Sequence, residues 1–390
     1  MSTEESPPRC YLDHAAATPL LPEVAAAMQG AWETFGNPSS PHAAGREARR
    51  TLEEARERIL AVLGGRARGP HRDRLVFTSG ATEANQMAIA GLKTPQGVPP
   101  VVLHSARDHA GTRAAAGHLA TTGRDVLEIP LDKLGLLDQD ALAIAASGDA
   151  AAVLSTTLAC SQSGTLEDVA AITARFPQLL LHVDAAQAVG RVPVNFESLG
   201  AAAMALAAHK LGGPRGIGGL LLRGEAAITP LLPGTQERDL RGGTEPVALA
   251  VGFATAVELA VQRQAAEAER LAGLRERLEH TLRQHLAAAG LELLVIGGTV
   301  LRAPHISVIA LPGRDRQATV MAADLAGLCL ASGTACASGS SEPSPALVAA
   351  TLPAAVVASA VRLSLGWSTT AADIDRAVGI LRRVFAAAAS

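Results

Sequence analysis

An apolar run, Leu180-Leu181-His182-Val183, ends in an acid at Asp184, and Lys210 follows one further hydrophobic segment downstream. The interval, 210 − 184 = 26 residues, holds a turn, a short helix and another strand. On a parallel sheet that spacing brings both side chains to one edge, where open α/β sheets bind their ligands. An acid facing a lysine there suits pyridoxal phosphate: the amine forms a Schiff base with the cofactor, and the carboxylate keeps the pyridine nitrogen protonated. The plainer alternative is a strand-end acid and a loop lysine, both solvated.

Four other places carry chemistry. Ser79-Gly80-Ala81-Thr82 falls between a strand and a helix, so free N–H groups and the Thr82 hydroxyl would cradle a phosphate. Ser79 or Thr82 acting only as an N-cap is the alternative. His109 follows an apolar strand and would stack on a flat ring or act as acid and base; capping a helix is its structural role, and His104 competes on position. Ala331-Ser332-Gly333-Thr334-Ala335-Cys336-Ala337-Ser338-Gly339 is small, polar and glycine-containing. A cysteine in such a loop reads as a nucleophile, since cysteines are usually buried, whereas Cys329 in an apolar run reads as core. Arg362 sits between apolar residues in Val361-Arg362-Leu363-Ser364-Leu365. It either grips a carboxylate bidentately or points outward from its strand.

The elements that would position these residues alternate from Arg74 onward. Strands are expected at 75–78, 101–103, 126–129, 152–155, 179–183, 203–206 and 218–222, with helices between most of them. That order gives an α/β fold with a mostly parallel seven-stranded sheet. From 254 to 288 the chain reads as one long amphipathic helix rich in Arg and Glu. Beyond it, short strands and helices suit a smaller α+β unit. The expected division is a large domain over 18–253 and a small domain from 1–17 and 254–390.

Composition narrows the function classes. With 48% hydrophobic and only 2% aromatic residues over 390, the core must be built from Ala, Leu, Val and Ile. A net charge of −3 without a long basic run gives no reason to expect nucleic acid or an anionic membrane. The N-terminus lacks the apolar region of a secretory signal, and no apolar run is long enough to span a bilayer, so a cytoplasmic protein is expected. Four cysteines without a CxxC pair make neither a disulfide framework nor a zinc site.

With Thr82, His109, Asp184, Lys210, Cys336 and Arg362 in this order, the chain resembles the cysteine desulfurases, class V aminotransferases of PLP fold type I. The likeness runs from about Tyr11 to the C-terminus. Its strongest segments are Tyr11-Leu12-Asp13-His14, Phe77-Thr78-Ser79-Gly80-Ala81-Thr82-Glu83, His182-Val183-Asp184-Ala185-Ala186-Gln187, His209-Lys210, Arg241-Gly242-Gly243-Thr244 and Ser332-Gly333-Thr334-Ala335-Cys336. The long loop around Cys336 is similar to the branch that serves iron–sulfur cluster assembly.

The resemblance implies a role for each matching residue. Lys210 is the Schiff-base lysine, Asp184 pairs with the pyridine nitrogen, Gln187 and Ser161 stand by the ring hydroxyl, and His109 stacks on the ring. Ala81, Thr82 and His209 hold the phosphate, and Thr244 reaches it from the partner subunit of a homodimer. Arg362, with Ser161 nearby, takes the carboxylate of L-cysteine, and Cys336 accepts its sulfur as a persulfide for transfer to a scaffold or carrier protein. Three places depart from the family pattern, one of them Pro233-Gly234-Thr235-Gln236, where the approach to Arg241 is otherwise rich in histidine and glycine. Ser161 stands for an asparagine, and Ala207 for a phosphate-binding serine, at an expected cost of about 1 kcal/mol for one neutral hydrogen bond. The alternatives are a selenocysteine lyase, aminotransferase or epimerase that does not use Cys336, or a cofactor-poor scaffold for sulfur-carrier proteins.

Overall fold

The computed structural model describes residues 9–94, 99–148, 152–333 and 342–387. Seven strands form the main sheet: β1 Arg74–Thr78, β2 Val101–Ser105, β3 Val126–Ile129, β4 Ala152–Thr157, β5 Leu180–Asp184, β6 Ala203–Ala207 and β7 Gly218–Leu222. Their order is β1-β7-β6-β5-β4-β2-β3. Only β7 runs antiparallel to its neighbours, so the other six strands end on one edge. The α/β class and the mostly parallel seven-stranded sheet are as expected.

The strands are apolar on both faces because both faces are covered. Leu75, Phe77, Leu154, Leu181, Val183 and Met204 enter one core, shared with Val24, Leu52, Ile59 and Phe253 from helices. Their neighbours Val76, Val153, Ala203 and Ala205 enter a second core with Ala84, Met87 and Ala88 of the helix Ala81–Gly91. That alternation follows from the two-residue side-chain period of a strand.

A third core lies beside a three-stranded antiparallel sheet made of Leu294–Val295, Ile306–Ala310 and Val361–Ser364. Leu12, Leu278, Leu282, Ile309, Leu363 and Leu381 meet there. Residues 254–288, expected as one helix, belong to two: Val247–Gln262 and Gln264–Ala287, which meet at Arg263. The break has a physical reason. The first helix buries Ala250, Phe253 and Val257 against the large-sheet core, and the second buries Leu271, Leu278 and Leu282 in the third. Arg263, at φ −91° and ψ −4°, marks the join between those two burial patterns.

The N-terminal segment ties these parts together. Cys10–Tyr11 pairs in parallel with Leu328–Cys329, and Asp13 bridges to Ser364. The chain then turns so that Ala15 and Ala16 face the end of β6. Among the described residues no helix is long and apolar enough to cross a membrane.

Candidate active site

A cavity of about 680 Å³ opens at the carboxyl ends of the parallel strands. It is lined by Ala81, Thr82, His109, Ser161, Asp184, Gln187, His209, Lys210 and Arg362, nine of the eleven residues singled out from the sequence. The tenth, Thr244, is exposed and does not line it. The eleventh, Cys336, lies outside the described residues; Gly333 before it and Glu342 after it both line the cavity.

Asp184 ends β5 with its carboxylate held from two sides. Asn85 Nδ2 donates to Oδ2 at 2.7 Å, and the Ala186 N–H donates to Oδ1 at 3.0 Å. Asn85 was not singled out from the sequence. It is a polar residue inside the apolar face Ala84-Met87-Ala88, which is the signal that marks it. Behind Asp184, His182 is fully buried and shares a hydrogen bond with Ser155 Oγ at 3.1 Å. Burial pulls its imidazole down to about 4 against the pull of Asp184, so it stays neutral.

Asp108 is a second carboxyl that sequence reading missed. It is 1% exposed and accepts from the Ser105 N–H and the Thr157 hydroxyl, each at 3.1 Å. Burial pushes it up to about 7 and the charge of Asp184 adds to the rise, while those two hydrogen bonds work against it. Its side chain closes the turn that carries His109.

His109 takes the capping role expected of it and also lines the cavity. It is the N-cap of the helix Ala110–Thr121, with Nδ1 accepting from the Gly111 N–H at 3.1 Å, and its ring lines the cavity. His104 lies within β2, buried and 4.0 Å from Glu128, and does not line the cavity. The two helix N-termini at Ala81 and Ala110 lie side by side. Any Cβ on Gly111 would come within 2.9 Å of Thr82 Cγ2, so glycine is what lets them approach.

The helix Ala81–Gly91 begins at Gly80 without a side-chain cap, so neither Ser79 nor Thr82 serves as one. Gly80, Ala81 and Thr82, at the helix N-terminus where backbone N–H groups lack helical partners, line the cavity. Glu83 accepts from the Ser79 N–H at 2.7 Å and is pinned by Arg241 Nε at 2.9 Å, which keeps its charge engaged. Arg113 and Arg215, neither anticipated, add positive charge to the lining. His209 is pulled down to about 4 by burial, with Lys210, Arg215 and His109 adding to the effect, so it is neutral.

Lys210 ends a short 3₁₀ turn after β6. Its Nζ donates to the carbonyls of Ala15 and Ala16, the latter at 2.8 Å. Arg362 is 2% exposed, so it does not point outward from its strand. Its Nη2 donates to Asp13 Oδ1 at 2.8 Å and its Nη1 to the Ser161 carbonyl at 2.9 Å. The carboxylate that a buried arginine requires is therefore already present within the chain. Cys160 is fully buried, with Sγ 3.7 Å from the Arg107 carbonyl, and stays off the cavity wall.

The residues present fit pyridoxal phosphate. The volume is in the range of small-molecule sites, roughly 300–1,000 Å³. A fixed carboxylate, an amine and a helix N-terminus with cationic neighbours line one cavity, matching a pyridinium nitrogen, an aldehyde and a phosphate.

Residues 10–377 match the Aminotransferase class-V family. The chain belongs to that family of pyridoxal-phosphate enzymes and, within it, to the cysteine desulfurases. It is 38% identical to a cysteine desulfurase of Cereibacter sphaeroides, over 96% of this chain and 95% of that one. It is 33% identical to the selenocysteine lyase of Homo sapiens, over 97% of this chain and 92% of that one. A NifS-like protein from Rickettsia africae superposes with a TM-score of 0.85 at 26% identity, covering 97% of this chain and 99% of the other.

Proposed function

We propose that this protein takes sulfur from L-cysteine, releasing L-alanine and leaving a persulfide on Cys336 for a sulfur-acceptor protein. One observation carries the reading: Asp184, Lys210 and Arg362 line a single cavity, with both ends of the Cys336 segment at its wall. Pyridoxal phosphate, when bound, supplies a positively charged electron acceptor that acidifies the substrate Cα–H.

The chain's own residues do the rest. Lys210 holds the cofactor covalently and then moves the proton at Cα. Asp184, fixed by Asn85 and Ala186, keeps the pyridine nitrogen charged. His109 packs on the ring, while Ala81, Thr82 and neutral His209 hold the phosphate by hydrogen bonds. Thr244, exposed in one chain, reaches the phosphate of a second copy in a homodimer. Arg362 orients the substrate carboxylate. The Cys336 thiolate takes the sulfur: an S–S bond forms on Cys336, the substrate Cβ–S bond breaks with its electron pair staying on carbon, and Cβ gains a proton to become the methyl group of alanine. The large unit over 18–253 would carry the cofactor, and the unit from 1–17 and 254–390 would carry Arg362 and Cys336. A cytoplasmic setting, where thiols stay reduced, suits this chemistry, and iron–sulfur cluster assembly is the expected destination of the sulfur.

Incubation of the loaded protein with L-cysteine tests the proposal. Equimolar alanine and persulfide sulfur, with the added sulfur mapped by mass spectrometry to the peptide holding Cys336, is the expected result. Absence of alanine rejects the activity. The likeness to a selenocysteine lyase supports selenocysteine as a competing substrate, and a direct competition assay ranks the two.

Arg362→Gln is expected to raise KM for L-cysteine about 10- to 100-fold, the loss of one charge-assisted hydrogen bond. The amide ends near the place of Arg362 Nε, so the contacts to Asp13 and Ser161 are lost as well, and the melting temperature is compared with that of the parent. Cysteamine, which lacks the carboxylate, provides the control. An equal loss with cysteamine would mean that Arg362 acts on something other than the substrate carboxylate.

A further inference from the structure

We propose that His305 is a positioning residue that locks the Gln187 carboxamide, so that Gln187 meets a ligand in the cavity with an N–H rather than with its carbonyl oxygen. The inference rests on the function proposed above for its ligand, and on hydrogen-bond direction for the lock itself.

Gln187 is 8% exposed and lines the cavity. Its amide has one neighbour on each side. On one side the Ala15 carbonyl lies 2.7 Å from Nε2. A carbonyl only accepts, so the amide nitrogen must face it. Ala15 is itself fixed, with its N–H donating to Ser364 Oγ at 2.8 Å. On the other side His305 Nε2 lies 3.2 Å from Gln187 Oε1. An amide oxygen only accepts, so His305 must carry its proton on Nε2.

The surroundings keep the imidazole in that state. His305 is 1% exposed, immediately before the strand Ile306–Ala310, and its carbonyl accepts the Leu365 N–H at 2.8 Å. Burial holds its pKa well below the usual value, and Arg191, His14, Arg362 and Arg275 oppose a positive ring. Nδ1 is buried with no partner among the described residues, as suits a bare lone pair in the Nε2–H tautomer.

One amide N–H of Gln187 is taken by Ala15, and the second is left for the cavity. A donor at that point favours an oxygen that accepts, and an ionised oxygen most strongly. For pyridoxal phosphate the matching group is the ring oxygen in its ionised form, so the lock would favour that form and set the colour of the bound cofactor. Neither His305 nor Ala15 contacts the reacting atoms; both act through Gln187.

Nitrogen NMR of histidine-labelled protein, without and with the cofactor, reads the tautomer directly. Protonated Nε2 on His305 is expected, and a bare Nε2 would overturn the lock. His305→Phe removes the donor and frees the amide to turn; His305→Gln restores a donor at the place of Nε2. The phenylalanine variant is expected to bind pyridoxal phosphate about tenfold more weakly and to shift its visible band at fixed pH. The glutamine variant should return both readings to within about twofold of the parent. Parental affinity and spectrum in His305→Phe would also overturn the proposal. If the parent failed to bind pyridoxal phosphate, the functional reading would fall, while the tautomer measured without cofactor would still decide the lock.

Discussion

Lys210→Ala is expected to reduce alanine production from L-cysteine by at least about 10³-fold, within the range for removing a positioned acid–base group. The argument starts from where Lys210 sits. It ends the turn after β6, on the edge that holds Asp184, and its ammonium rests on the carbonyls of Ala15 and Ala16. Those two hydrogen bonds are part of the structural cost of the substitution, and each has a typical net worth of about 1 kcal/mol. The fold should therefore survive, with an unchanged far-ultraviolet spectrum and a modest fall in melting temperature. Covalent attachment and proton movement at Cα are both lost. Dialysis should then strip the cofactor from the variant and leave the parent loaded. Asp184, Arg113 and Arg215 remain in place, so added pyridoxal phosphate should still bind reversibly. Substantial alanine output by Lys210→Ala would remove this lysine from the mechanism. Wild-type retention of the cofactor through dialysis would show that attachment lies elsewhere.

The parts of this site that were legible in the sequence are those whose local pattern and position agree. An apolar run ending in Asp184 reads as a strand end whatever it packs against. Lys210 reads through its spacing, because alternating strands and helices place successive strand ends on one edge. His109 was legible only as one of two histidines. Its neighbour His104 differs by being inside β2, and strand boundaries are the weakest part of such a reading.

What the sequence hid are contacts between distant segments. Asn85, Asp13, Ala15 and His305 reach Asp184, Arg362, Lys210 and Gln187 across 99, 349, 195 and 118 residues. No local periodicity encodes those meetings. The cysteines illustrate the same limit. Cys329, in an apolar run, was expected in the core, yet it is half-buried, whereas Cys10 in the N-terminal segment is fully buried. The parallel pairing of Cys10 with Leu328 and Tyr11 with Cys329 sets this, since alternate residues of a ladder face opposite sides. Burial, with Asp373 adding to it, then pushes the Cys10 thiol up to about 12, so it is not a nucleophile at neutral pH.

That exclusion bears on the other large effect, expected of Cys336→Ser. Of four cysteines, Cys10 and Cys160 are fully buried and Cys329 pairs beside Tyr11 on a small ladder. None of these three lines the cavity. That leaves Cys336, the proposed sulfur acceptor, as the thiol to test; Gly333 and Glu342, on either side of its segment, both line the cavity. Serine has nearly the same size and cannot accept sulfur as a persulfide, because its hydroxyl stays protonated at neutral pH and is a poor nucleophile toward sulfur. The variant should bind pyridoxal phosphate with parental affinity and spectrum, because Asp184, Lys210 and the Ser79–Thr82 turn are untouched. Alanine formation should fall by about 10³-fold or more, on the scale of losing an essential nucleophile. Label from ³⁵S-cysteine should no longer stay with the protein after denaturation. The three outcomes separate the mechanisms that share this cavity. Loss of both alanine and label assigns the sulfur-accepting step to Cys336. Loss of label with full alanine output would mean that sulfur departs without Cys336, as in a lyase. Retained label on another peptide would transfer the role to a second cysteine, and Cys329, the remaining thiol that is not fully buried, is the first to examine.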